Sequence, residues 1–277
     1  MHEALRNSRW TITASTDKYE WIDIGETHVL KLFRDHISSD DVRRESRSSS
    51  LVNTIGIPSP SVEPGIYRAD DGRQGILFKR ASGRPLSEFF RDQPLSIFKL
   101  SKIIADAHLQ IHAHSAIHGL RSQRDYLAER IATASRLSLG TRKKLMRVLQ
   151  ALPEGDQERV CHTHLFSKNI LISGDCITVS DWGAAANGNF LCDVAKTWLM
   201  LCYPLDNEPR FSKAVARWYC KARAQVYLRA YAARHPIDFV EFRRWVMINM
   251  AATLFEQPQK YAKSIQRKIE VDLKKLA

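Results

Sequence analysis

The chain changes character once, and that change limits what it can fold into. Up to about residue 80 it alternates short apolar runs with polar turns. After about residue 94 it reads as long helical patterns, interrupted by one strand-rich patch over residues 160–183. Strands first and helices afterwards are the pattern of an α+β protein. The expected division is residues 1–80 and residues 81–277.

In the first part, Trp10–Ala14, Tyr19–Ile24 and Val29–Phe33 are apolar-bearing runs separated by Ser15-Thr16-Asp17-Lys18 and Gly25-Glu26-Thr27. This predicts an antiparallel meander. Ser38-Ser39-Asp40 offers N-caps for a helix that presents Val42, Glu45, Ser49 and Val52 on one face and ends at Gly56-Ile57-Pro58. Two more strands, Ile66-Tyr67 and Gly75–Phe78, flank the Asp70-Asp71-Gly72 turn. Lys31 stands alone inside the apolar run Val29–Phe33, and a lysine on the buried side of a strand needs a partner. Glu45, on the apolar face of the next helix, is the natural one. The competing reading is a surface lysine and a solvated glutamate.

In the second part, helices are expected over Leu95–His114, twice within 121–151, over 207–234 and 237–256 on either side of Pro236, and from Lys260 to Leu276. The strand-rich patch carries Gly174-Asp175, a turn signal between two alternating runs. A hairpin closed there brings Asn169 and Asp181 to its open end. An amide oxygen and a carboxylate aimed at one point suit magnesium, which takes few protein ligands and completes its shell with phosphate and water. The hairpin taken alone reads equally well as a plain turn with a polar mouth.

The segment from His162 to Gly183 resembles the catalytic loop of the aminoglycoside phosphotransferase and choline kinase family, which is related to protein kinases. His162 matches the family's first histidine, Asn169 its asparagine and Asp181, in Asp181-Trp182-Gly183, its metal-binding aspartate. Asp193, in Cys192-Asp193-Val194-Ala195, stands where the family has a further aspartate. The resemblance covers roughly residues 15–200. It implies a two-lobed protein-kinase-like fold, with a small antiparallel-sheet N-terminal lobe and a larger, mainly helical C-terminal lobe.

It also implies ATP- and magnesium-dependent phosphoryl transfer to the hydroxyl of a small molecule, with GTP as the alternative nucleotide. In such a fold Lys31 orients phosphates and pairs with Glu45, while Asn169 and Asp181 hold magnesium. Residues 75–86 resemble the family's hinge, which makes the backbone of Lys79, Arg80 and Ala81 the expected adenine contact. The acceptor is expected between the catalytic loop and the C-terminal helices.

Two departures bear on activity. His164 occupies the position of the family's catalytic aspartate, and Thr163 replaces the usual glycine before it. A neutral histidine can take a proton near working pH but brings no negative charge. Positioned acid–base groups contribute roughly 10²–10⁴-fold. Three readings stay open: His164 is a working base; the protein is a pseudokinase that binds nucleotide or a partner without turnover; or this chain carries a substitution. The kinase glycine-rich loop is also absent. Ser15 and Thr16 occupy its place and are expected near the β-phosphate.

Composition serves mainly to exclude. The five cysteines form no Cys-x-x-Cys pair, so neither a disulfide framework nor a zinc knuckle is expected. No apolar run is long enough to span a bilayer, and Met-His-Glu-Ala-Leu-Arg-Asn lacks the apolar core of a signal peptide, so a cytoplasmic location is expected. The formal net charge of +12 is spread along the chain without a nucleic-acid-binding signature. It implies a solvated basic surface and argues against a cationic aminoglycoside as acceptor.

The tail stripe of Tyr261, Ile265, Ile269, Leu273 and Leu276, edged by lysines, could touch an anionic surface weakly. Packing is the stronger expectation. Trp198, Trp218, Tyr219 and Trp245 are expected in the helical core. His108, His112 and His114 suggest a metal, and His108 and His112 share a helix face, but no neighbouring carboxylate completes the pattern. Packing is the expected role.

Overall fold

Period-two alternation in the first 80 residues produces a five-stranded antiparallel sheet. In the computed structural model, which describes residues 10–153, 158–202, 213–254 and 259–275, its strands are β1 (Trp10–Ser15), β2 (Tyr19–Ile24), β3 (His28–Phe33), β4 (Tyr67–Arg68) and β5 (Gln74–Lys79). Their order is β1-β2-β3-β5-β4. Successive side chains point to opposite faces. Ile22, Ile24, Leu30, Leu32 and Leu77 therefore form one apolar cluster, and Phe33, Ile76 and Phe78 join Val42 of a helix in another.

That helix, α1 (Ser39–Thr54), begins where the hydroxyl of Ser38 accepts the amide of Asp41. It buries Val42, Glu45, Ser48, Ser49 and Val52. The expected face, with Ser48 added, is thus the packed one.

The chain divides into two compact units. The first comprises residues 1–86 together with 168–184, so it extends beyond residue 80 and takes in the hairpin. The hairpin strands β9 (Ile170–Ser173) and β10 (Cys176–Val179) close on Gly174-Asp175. A two-residue strand, β6 (Arg84–Pro85), pairs with β9, and the amide of Val179 donates to the carbonyl of Pro58 at 2.8 Å. Gly83 makes this pairing possible. Its φ is +109°, and a Cβ there would lie 2.5 Å from the carbonyl oxygen of Ile172.

The second unit, residues 87–167 and 185–277, is mainly helical. It holds most of α2 (Leu86–Asp92), then α3 (Ile97–His112), α4 (Gln123–Ala132), α5 (Leu139–Ala151), α6 (Phe190–Leu201), α7 (Lys213–Ala232), α8 (Phe239–Ala252) and α9 (Gln259–Lys274). A small sheet of β7 (Arg121–Ser122), β11 (Ala186–Gly188) and β8 (Arg159–Cys161) sits among them. Helix α3 packs on α7, and α6 on α8.

The α+β class and the sheet-then-helices arrangement are as expected. Residues 207–212, 255–256 and Leu276, expected to be helical, lie outside the described residues. In α9, Ile265, Ile269 and Leu273 are buried, so the described part of the tail stripe is a packing face. Trp218, expected in the core, is exposed, while its neighbour Tyr219 is buried. One step along a helix turns a side chain by about 100°, enough to carry it off the packed face. Among the described residues, no helix is long and apolar enough to cross a membrane.

Candidate functional site

The first unit converges on Lys31. Its strand position faces α1, so its ammonium is buried, with 1% of the residue exposed. Nζ lies 2.6 Å from Oε1 of Glu45 and 2.6 Å from Oδ1 of Asp181. The ring of Tyr19 is 4.0 Å from the same nitrogen, and Phe33 and Trp21 are a little farther off. A buried ammonium is tolerable only when paired and hydrogen-bonded. Burial by itself disfavours the charge, but the carboxylates of Asp181 and Glu45 outweigh it and hold the ammonium above its ordinary pKa. Burial pushes Glu45 up, against the pull of Lys31. Burial and the nearby Asp181 push the Tyr19 phenol up to about 12.

Asp181 sits just past the open end of the hairpin. Its φ of 69° is left-handed, a conformation that aspartate adopts more readily than most residues. Trp182 anchors the turn by donating its indole N–H to the carbonyl of Val179 at 2.9 Å. Gly183 leaves space for Glu45, since a Cβ would lie 2.6 Å from Oε2 of that residue. Asn169 is buried at the other side of the hairpin mouth, where its carbonyl accepts the amide of Ser180 at 2.9 Å. Lys31, Glu45, Asn169 and Asp181 therefore belong to one unit, and three of them meet directly.

The other expected contacts fare differently. The Thr16 hydroxyl donates to the carbonyl of Tyr19 and accepts the amides of Lys18 and Tyr19, so it is committed to its own turn. Ser15 Oγ accepts from Arg34 at 2.7 Å, a partner the sequence reasoning missed. The amide of Lys79 donates to Ser61 and that of Arg80 to Thr27. Both are therefore spent on local structure. Tyr19 was missed as well. Its signal was present in the alternation, because Tyr19 and Trp21 lie on the strand beside β3, in register with Phe33 and Lys31.

His164 belongs to the second unit. It is half-buried, its amide donates to Nδ1 of His162 at 3.3 Å, and its ring meets Phe166 edge-on at 5.2 Å. The preceding residue, Thr163, has φ 60°. For a β-branched residue that is a strained backbone. Asp193 holds it there: its carboxylate accepts the amides of His162 at 2.7 Å and Thr163 at 2.8 Å.

Asp193 is fully buried on α6, and Nε2 of His112 on α3 lies 3.2 Å from it. Burial works against its charge, but His108 and His112 prevail and hold the carboxyl well below its usual range. Burial lowers His112 to about 4, so its ring is neutral at pH 7. The fold thus brings a carboxylate to the histidine pair for which the sequence offered none. His114 turns away and bonds to the carbonyl of Gln110.

A family model described as the phosphotransferase enzyme family matches residues 11–234. Among solved structures, a thermostable mutant of aminoglycoside phosphotransferase APH(4)-Ia, in ternary complex with AMP-PNP and hygromycin B, aligns with a TM-score of 0.67. It shares 16% identity and covers 98% of this chain and 95% of that one. Aminoglycoside-3'-phosphotransferase of type VIII aligns at 0.63 with 17% identity, over 91% of this chain and 98% of that one. A choline/ethanolamine kinase family protein from Mesorhizobium loti aligns at 0.60 with 13% identity, over 96% and 88%. At such identities the likeness establishes a kinase-like fold and nothing finer. Among curated protein sequences, none matches.

Proposed function

The chain belongs to the phosphotransferase enzyme family, and from that premise we propose that it transfers the terminal phosphoryl group of ATP, with magnesium, to a hydroxyl of a small molecule. The observation that carries the proposal is the meeting of Lys31 with Glu45 and Asp181, each at 2.6 Å. The donor set fits the cofactor: an ammonium for phosphate oxygens, and the hard oxygens of Asn169 and Asp181 for magnesium. Magnesium-bound ATP would supply the phosphoryl group and the cation that neutralises its charge.

Each residue then has a task. Glu45 fixes Lys31 so that its ammonium can engage phosphates. Asp181, paired with Lys31, would give a carboxylate oxygen to the metal. With the Lys79 and Arg80 amides committed, the amide of Ala81 is the donor left for a base. Because the Thr16 hydroxyl and amide both bond to Tyr19 within the turn, contact of Ser15 and Thr16 with phosphate would require that turn to rearrange. His164 would receive the proton of the acceptor hydroxyl. The acceptor would lie against the helices of the second unit. GTP is the alternative nucleotide.

One observation favours a second reading, a pseudokinase that binds nucleotide or a partner without turnover: a histidine stands where the family has its catalytic aspartate. Two measurements separate the readings. Magnesium-ATP at 100 times its dissociation constant should stabilise the protein by about 2.7 kcal/mol, a rise of a few degrees in Tm. A panel of hydroxyl compounds is then assayed for phosphorylation with the wild type and with His164→Asp. Transfer by the wild type supports the enzyme. Stabilisation without transfer, followed by activity in His164→Asp, supports the pseudokinase. No stabilisation by any nucleotide refutes both nucleotide-binding readings.

A further inference from the structure

The second unit contains a buried side-chain cluster around Asp193, beneath the loop that carries His164. His108 and His112 lie one turn apart on α3, their rings stacked with centroids 4.7 Å apart. Both Nε2 atoms point at the same oxygen, Oδ2 of Asp193, from 3.5 Å and 3.2 Å. Nε2 of His108 is completely buried and makes no hydrogen bond. A buried polar nitrogen without a partner is costly.

We propose that His108, His112 and Asp193 form a buried site for a divalent transition metal, with zinc the best match. Its ligands are distinct from the residues that would hold nucleotide and magnesium. Zinc bound tetrahedrally at about 2.0–2.2 Å by nitrogen and oxygen places neighbouring ligand atoms roughly 3.3–3.5 Å apart. The two nitrogen–oxygen separations, 3.2 and 3.5 Å, lie just below that range and at its upper end, and all three ligand atoms fall within 4.8 Å of one another. The separation at His108 is long for a hydrogen bond but suits two ligands of one ion.

The surroundings already orient the ligands. Nδ1 of His108 is 2.6 Å from the Tyr227 hydroxyl, and Nδ1 of His112 is 2.8 Å from that of Tyr231. When each Nδ1–H donates to its tyrosine, both Nε2 lone pairs face inward, the usual support for metal-bound histidine. The carboxylate is also held by two amides, that of His162 donating to the same Oδ2 and that of Thr163 to Oδ1. Two imidazoles and one carboxylate suit zinc, whereas magnesium demands an oxygen shell. Three protein ligands leave a fourth position for water. All three residues are buried, so the ion enters as the unit folds. The alternative arrangement is metal-free, with both imidazoles donating Nε2–H to Asp193 and the tyrosines donating to Nδ1.

Metal analysis of the full chain decides between them. The untagged protein is expressed in zinc-replete medium, dialysed against EDTA and analysed by mass spectrometry. About one zinc per chain is expected. Protein made with cobalt(II) should show the visible spectrum of a four-coordinate ion. Asp181→Ala should keep the zinc, and a folded His108→Gln should lose it. Natively folded wild type that holds no zinc and gives no cobalt spectrum overturns the site. So does zinc that is lost from Asp181→Ala but kept by His108→Gln. If His108→Gln does not fold, the wild-type measurements decide alone.

Discussion

At the scale of single residues, the first unit depends on charges that cannot exist separately. Removing one member of a buried ion pair costs about 3–5 kcal/mol, because the other is left uncompensated. Lys31→Met keeps the bulk of the side chain but strands Glu45 and Asp181. The expected outcome is a loss of stability of that order, read from the urea midpoint, together with loss of any nucleotide-dependent rise in Tm. Thr163→Gly acts the other way. It relieves left-handed strain of about 1–3 kcal/mol, and the added freedom of the unfolded chain cancels roughly 0.5–1 of it. The net gain should be about 1 kcal/mol, a rise of a few degrees in Tm measured by calorimetry.

The Lys31–Glu45 pair was legible because a lone lysine in an apolar strand and a glutamate on an apolar helix face each lacked a partner. The pairing of Lys31 with Asp181 is a different matter. It spans 150 residues and had no local signal apart from the family's motif. The same holds for Asp193, which meets His112 across 81 residues.

At the scale of elements, caps and turns were the readable features. Ser38 caps α1, and Gly174-Asp175 closes the hairpin, as their types predict. Replacing Ser38 by alanine should cost about 1 kcal/mol of stability. What the sequence concealed was how short pieces are used. Arg84–Pro85 forms a strand of two residues whose pairing depends on Gly83, and no periodicity exists over so short a span. Gly83→Ala would set a methyl against the Ile172 carbonyl at a φ that alanine avoids. The expected cost is about 2 kcal/mol or more, with early loss of hydrogen-exchange protection along β9. The committed amides of Lys79 and Arg80 were hidden for a related reason: their acceptors, Ser61 and Thr27, lie in loops whose path only the fold defines.

At the scale of the whole molecule, the first unit is assembled from two stretches, residues 1–86 and 168–184, with half of the second unit encoded between them. A fragment ending at residue 86 should therefore fail to fold natively. It would bury Lys31 with Glu45 alone, without β9, β10 or Asp181. Adding the segment 168–184 through a flexible linker should restore a cooperative transition, followed by circular dichroism on heating.

During synthesis the same arrangement becomes a matter of time. A ribosome adding about 5–20 residues per second delivers Asp181 roughly 8–30 s after Lys31. For that interval the nascent chain carries an ammonium designed for a dry interior with only one of its two counter-ions made. The N-terminal segment, first to emerge, is thus among the last parts of the protein able to close.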